Sequence, residues 1–181
     1  MTTVVPDDVL AFWRAAGPAK WFRKNPAFDR EIRERFLATH EAAAAGHLAD
    51  WEATPEGALA LAILLDQLPR NMFRDSARAF ATDPLARAVA ERAVARGFLQ
   101  RVPSGERMFF QLPFEHSENL ADQERSLALS REIGGGKADP YAEGHADIIR
   151  RFGRFPHRNK VLGRTTTPRE QAFLDGGGFP G

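Results

Sequence analysis

The chain has 181 residues, 43% hydrophobic, 27% charged and 10% aromatic, an ordinary globular composition large enough to bury roughly 70% of its unfolded surface in one domain. Its longest apolar run is Gly57–Leu65, where a membrane span needs about twenty residues, and Asp7 and Asp8 stand where a secretory leader would be basic. With no cysteine there is no disulfide, thiolate metal site or thiol nucleophile, the expected compartment is the cytoplasm, and a net charge of +1 argues against a general nucleic-acid coat.

Helix signals dominate along the chain. Proline directly after a good cap residue marks a helix start, because the cap accepts an orphan N–H and proline at the first helical position loses nothing. That pair occurs at Asn25-Pro26, Thr54-Pro55, Asp83-Pro84, Asp139-Pro140 and Thr167-Pro168. With apolar residues at helical spacing after each start, the pattern predicts helices over 7–16, 26–45, 55–68, 84–96, 118–133, 140–152 and 168–174. Gly46 and Gly97 stand where two of them should stop, and only Met108–Leu112 reads equally well as a strand. Phe22, Trp51, Phe80 and Phe109 recur every 29 residues, each followed four residues later by Pro26, Pro55, Pro84 or Pro113. A repeat of that length suggests stacked helical hairpins. Residues 1–175 read as a single all-helical domain and 176–181 as a flexible tail, frayed or lying on a partner.

Three polar strings hold the chemistry. Gly57–Leu65 is apolar on every side of a helix, so this helix should be central. It runs into Asp66, Gln67, Leu68, Pro69, Arg70, Asn71, Met72, Phe73 and Arg74, where Pro69 should stop or kink it. Asp66 would then lie near the negative end of the helix dipole and need a cation such as Arg70 or Arg74, either as a plain internal ion pair or facing a ligand. The second string is Leu112, Pro113, Phe114, Glu115, His116, Ser117, Glu118, Asn119, Leu120, Ala121, Asp122, Gln123 and Glu124. Leu120 and Leu127 face one way on a helix, which places Gln123 and Glu124 on its core side, while Glu118 and Asp122 also suit capping. The third string is His145 through Asn159; His145, Ile148, Ile149 and Phe152 share a helical face with Tyr141, so His145 points at the core or at a cavity beside it. Ile148–Arg169 carries seven basic residues and no acid, Glu115–Glu124 four acids and no basic residue, so the two blocks invite pairing. Of the 25 basic residues 21 are arginines, which suit forked contact with carboxylate or phosphate.

Phe12-Trp13, Lys20-Trp21-Phe22, Phe28-Asp29, Leu65 through Arg74, Leu112 through Glu118, Asp122-Gln123-Glu124 and His145 through Arg164 together resemble the bacterial domain of unknown function 924 family. The resemblance implies an all-α fold similar to the tetratricopeptide-repeat superhelix, and almost no chemistry. Leu68 replaces an expected phenylalanine, and Thr165-Thr166-Thr167-Pro168 a more acidic cap.

Two functions follow from the strings converging on one polar pocket. The first is binding of an anionic group, carboxylate or phosphate, on a small molecule or peptide. Arg70, Asn71, Arg74, His145, Arg154, His157, Arg158 and Asn159 would face the ligand, with Asp66, Gln67 and Glu124 orienting them. The alternative is a hydrolase-like enzyme with His116, His145 or His157 as general acid or base and Asp66 or Glu118 as the orienting carboxylate. No nucleophile elbow, phosphate-binding glycine loop or dinucleotide fingerprint is present, and no cofactor is implied. A metal site is a lesser reading: His116, Glu118, Asp122, His145 and His157 are plausible nitrogen and oxygen ligands, but no His-Glu-x-x-His or Glu-x-x-His places two of them on one helical face, so no metal ligands are assigned. Arginines interleaved with Phe152 and Phe155 could stack on bases, but an internal ion network explains the same residues.

Overall fold

The computed structural model describes residues 4–179, and every regular element among them is helical. The α-helices are α1 (Pro6–Ala16), α2 (Pro18–Trp21), α3 (Pro26–Ala44), α4 (Pro55–Ala62), α5 (Leu68–Met72), α6 (Asp83–Ala95), α7 (Met108–Glu115), α8 (Leu120–Ile133), α9 (Pro140–Phe152) and α10 (Pro168–Asp175). Met108–Leu112, the ambiguous stretch, is helical. The caps act as expected at four starts: Asn25 accepts from the Ala27 and Phe28 N–H groups, Thr54 from Gly57, Asp139 from Tyr141 and Thr167 from Glu170. Asp83 departs from this. It already lies inside α6, and its carboxylate is taken up by Arg70.

Pro69 does not stop the central helix. A proline has no N–H, so the carbonyl four residues back, that of Leu65, loses its helical partner. The chain answers with a π turn over Ile63–Gln67, in which the Leu68 N–H reaches back to the Ile63 carbonyl. Side chains satisfy the carbonyls that the wider turn exposes. The Thr82 hydroxyl donates to Leu65 O at 2.6 Å, His40 Nδ1 lies 3.1 Å from Leu64 O, and Arg70 donates to Asp66 O. The helical path therefore continues through Met72.

The chain forms two compact units, divided within α7 after Pro113. The first contains the residues up to Arg74 and Arg78–Pro113; in it α1 and α6 pack on α4, and α3 on α5. Gly57 through Pro69 is buried without interruption, as an all-round apolar helix requires. The start of α4 lies so close to the backbone of Trp51 that a Cβ on Gly57 would fall 2.9 Å from its carbonyl carbon. The second unit contains Asp75–Ala77 and the chain from Phe114 onward. There α8 packs on α9, and α10 on the short turn Pro156–Arg158. Its apolar core is two clusters, Leu127 with Ala142 and Ala146, and Ile148, Ile149 and Phe155 with Phe152, Phe173 and Phe179 against them. Of the tail, Gly176 to Phe179 is described and Phe179 belongs to that second cluster; residues 180–181 lie outside the described residues.

Candidate functional site

In the first unit the Asp66 string folds into an internal clamp. Asp66 is 1% exposed, and its carboxylate accepts from Gln67 and lies 3.2 Å from Arg70. Arg70 also forks onto Asp83 with two 3.0 Å bonds. Burial works against its charge, yet Asp66 and Asp83 hold the guanidinium pKa above its ordinary value. Asn71 donates to Asp29 at 2.8 Å, and Arg74 forks onto the same carboxylate. Each cation expected to face a ligand here is thus bound to an aspartate of its own unit. The sequence offers Asp83 only as the cap before Pro84 and assigns Asp29 no role; the one local signal of Asp29 is its place in the first turn after Pro26.

In the second unit the other two strings meet. Pro113 lies inside α7, and the carbonyls at the end of that helix need donors. Gln123, fully buried on α8, supplies them: its Nε2 donates to the carbonyls of Glu115 and Ser117, each at 2.6 Å. That bond fixes the backbone of Glu115. The Glu115 carboxylate, also buried, lies 3.1 Å from His145 Nδ1, which is 2.8 Å from the Tyr141 carbonyl one turn back on α9. Both neighbours of Nδ1 are acceptors, so the proton of the neutral ring sits on Nδ1 and Nε2 carries the lone pair. The His116 ring lies 6.3 Å from the His145 ring. Phe155 and Phe179 stand edge-on to His145 at 5.5 and 4.5 Å between ring centres, and Phe179 also meets His157 at 5.2 Å.

Arginine forks hold this arrangement together. Glu118 accepts from the Phe155 N–H at 2.7 Å and from both terminal nitrogens of Arg164 at 2.6 and 3.0 Å. Burial pushes its pKa up, but the bonds from Arg164 and Phe155 together outweigh that and hold it below the usual carboxylate range. Arg154 forks onto Glu170 at 2.6 and 2.9 Å, and Asn159 donates to the same carboxylate at 3.3 Å. The Arg154 bond, with help from Thr167, lowers the Glu170 pKa to about 2. His157 is pushed down to about 3, first by burial and then by the Arg158 cation and the neighbouring imidazoles of His145 and His116, which would share its field if protonated. It is a neutral imidazole at physiological pH. The Arg158 guanidinium, itself buried, lies 4.6 Å above the Phe155 ring.

Several expected site residues are placed otherwise. Glu124 does not face the core: α8 buries Gln123, Ser126, Leu127 and Ser130, and Glu124 on the exposed side pairs with Arg150 at 3.7 Å. The expected phase was taken from Leu120, which sits on the first turn and is 45% exposed. Tyr141, placed on the core face, is 72% exposed for the same reason. Glu118 does not cap α8, a role that Asn119 fills; Asp122 accepts from the Ser117 hydroxyl at 2.6 Å. Glu115, Arg164 and Glu170 were not singled out, although Glu115 and Arg164 lie in the two opposite charge blocks. Among the described residues no group of three or more histidine, aspartate or glutamate side chains is arranged to hold a metal ion. No described helix is long and apolar enough to cross a membrane.

Helices alone among the described residues, with forked arginine–carboxylate pairs tying loops to helix ends, define an all-α protein. The chain belongs to the family described as bacterial protein of unknown function (DUF924), whose model matches residues 9–178. Among solved structures it is similar to the protein of unknown function ATU0120 from Agrobacterium tumefaciens, with 47% identity and a TM-score of 0.89, over 94% of this chain and 97% of that one. No curated protein matches the chain.

Proposed function

We propose that this chain is a cytoplasmic enzyme whose second unit transfers a proton to and from a small substrate bearing a carboxylate or phosphate. The observation that carries this reading is the contact of His145 Nδ1 with the buried Glu115 carboxylate. A neutral core histidine is satisfied by one carbonyl acceptor, and His145 has that in Tyr141. The second acceptor on the same nitrogen is a carboxylate, which stabilises the imidazolium that forms when Nε2 takes up a proton. His145 is thus the general base, then acid, and Glu115 positions it. His116, with its ring 6.3 Å away, is the next imidazole able to pass a proton. The anionic group of the substrate falls to Arg158, whose charge already acts on His157 and Glu118. Arg154 and Arg164 act as scaffold through Glu170 and Glu118.

Hydrolysis of p-nitrophenyl acetate tests the base. Turnover should exceed that of an equal concentration of free imidazole and fall at least about tenfold in His145→Gln and Glu115→Gln. Inorganic phosphate or succinate should inhibit it, and inhibition should weaken in Arg158→Gln. Turnover unchanged by His145→Gln would remove the acid–base role. Loss of turnover without any inhibition by either anion would remove the anionic substrate.

A further inference from the structure

We infer that Phe179 is a positioning residue of this site, delivered to it by a glycine turn built for the purpose. The inference rests on the acid–base reading above and extends the site one residue past the stretch that the family model matches. After α10 the chain reverses through Gly176, Gly177 and Gly178. Gly177 has φ +79, a conformation costly for any side chain, and its N–H is bound to Leu174 O at 3.2 Å. The Gly178 N–H donates to Phe173 O at 2.9 Å. A Cβ on Gly178 would stand 2.5 Å from that oxygen and 2.6 Å from the Phe173 ring. Two successive positions therefore demand glycine, for different reasons, and a frayed tail would demand neither. The outcome of the turn is that Phe179 packs onto the apolar cluster of Ile148, Ile149 and Phe155, with its ring edge-on to His145 and His157.

An aromatic ring in that place does two things. It blocks rotation of the His145 imidazole away from Glu115 and Tyr141, so the Nδ1–H tautomer persists. With the Phe155 ring, 5.6 Å from His157, it also keeps water from that imidazole, whose charged and titratable neighbours are Arg158 on its own turn, His145 on α9, and His116 and Glu118 between α7 and α8. Of these only Glu118 favours the imidazolium, so exclusion of water by Phe179 adds to a field that already disfavours the charge. The C-terminal segment thus sets the protonation state of the histidines, although it contributes no titratable side chain.

Histidine ring nitrogen shifts, followed by NMR through a pH titration of the full chain, test this. In Phe179→Ala the His157 midpoint should rise from about 3 by at least about one unit, and His145 should lose its single-tautomer signature. Phe179→Leu, which keeps apolar cover, should restore most of both. Gly178→Ala leaves every ring in place in the sequence but displaces the turn, and should raise the His157 midpoint in the same direction. Unchanged midpoints and tautomer in folded Phe179→Ala would overturn the inference; should that variant not fold, an unchanged midpoint in Gly178→Ala would do so. The failure is separable from that of the acid–base reading. Altered histidine titration with no effect of His145→Gln on ester hydrolysis would leave Phe179 in place and remove the catalysis, and the converse would remove Phe179 alone.

Discussion

Gln123 links the fold to the site, and its replacement has a calculable effect. Its amide donates 2.6 Å bonds to the carbonyls of Glu115 and Ser117, both buried residues, and the side chain itself is fully buried. Methionine keeps the length of the side chain and deletes both donors. Each buried carbonyl left without a partner costs about 1–3 kcal/mol, so the loss is about 2–6 kcal/mol before compensation. The compensation is real: Gln123 Oε1 has no hydrogen-bond partner among the described residues, and removing that buried acceptor recovers about 1–2 kcal/mol. A net loss of about 3 kcal/mol remains, which for a chain of this length lowers the melting temperature by about 6–12 °C. Gln123→Glu places a carboxylate against the same carbonyls and should be worse than methionine at neutral pH. Calorimetry with circular dichroism is the assay, because a chain of two compact units need not unfold in one step and the transition of the second unit must be followed. A methionine variant melting within about 2 °C of the parent, or a glutamate variant as stable as glutamine, would refute the role of carbonyl capping in holding Glu115.

Acid should destabilise the fold in a defined window. The unfolded chain protonates His157 below its ordinary value of 6.5, whereas the folded chain refuses that proton until about pH 3, so stability is lost as pH falls between the two. The slope from this group is up to about 1.4 kcal/mol per pH unit, and a urea midpoint that is flat between pH 6.5 and 4.5, or just as steep in His157→Gln, contradicts it. Below its ordinary value of 4.5 Glu170 adds to the loss, because its folded pKa of about 2 means its contribution is complete above 4.5 and disappears as pH drops toward 2; Glu170→Gln should reduce the acid sensitivity in that lower range. Gly57→Ala should destabilise by about 1–3 kcal/mol despite a helix-propensity gain of about 1 kcal/mol, since its Cβ meets the Trp51 backbone; a rise in melting temperature would count against the close approach. Thr82→Val removes the donor to Leu65 O and should cost about 1–3 kcal/mol in chemical denaturation, whereas Thr82→Ser should cost much less; equal losses would show that the π turn does not need that hydroxyl.

Legibility of the site in the sequence followed the range of the interaction. The histidines and the opposite charge blocks of the second and third strings were identifiable by residue type, and the pairing of those blocks is realised in Glu118 with Arg164. The particular partner was not identifiable, because Glu118 and Arg164 are 46 residues apart and Arg74 and Asp29 are 45 apart, distances over which no periodicity carries information. Glu115 was overlooked for a local reason as well. Pro113 gives no hint that a helix passes through it, and only that helix orients the carboxylate toward α9.

Helix starts, the central apolar helix and the all-helical class were settled by the amino-acid order itself. Each rests on a cap, a proline or an apolar spacing that acts within a turn or two, before any distant segment arrives. Tertiary packing decided the rest. It turned Asp66, Arg70 and Arg74 into an internal clamp, supplied the Thr82 hydroxyl to the Leu65 carbonyl that Pro69 leaves without a helical partner, and laid Phe179 against His145. Those outcomes depend on which donor lies near a given acceptor once the backbone has folded, and that is a property of three-dimensional neighbours, not of the order of residues along the chain.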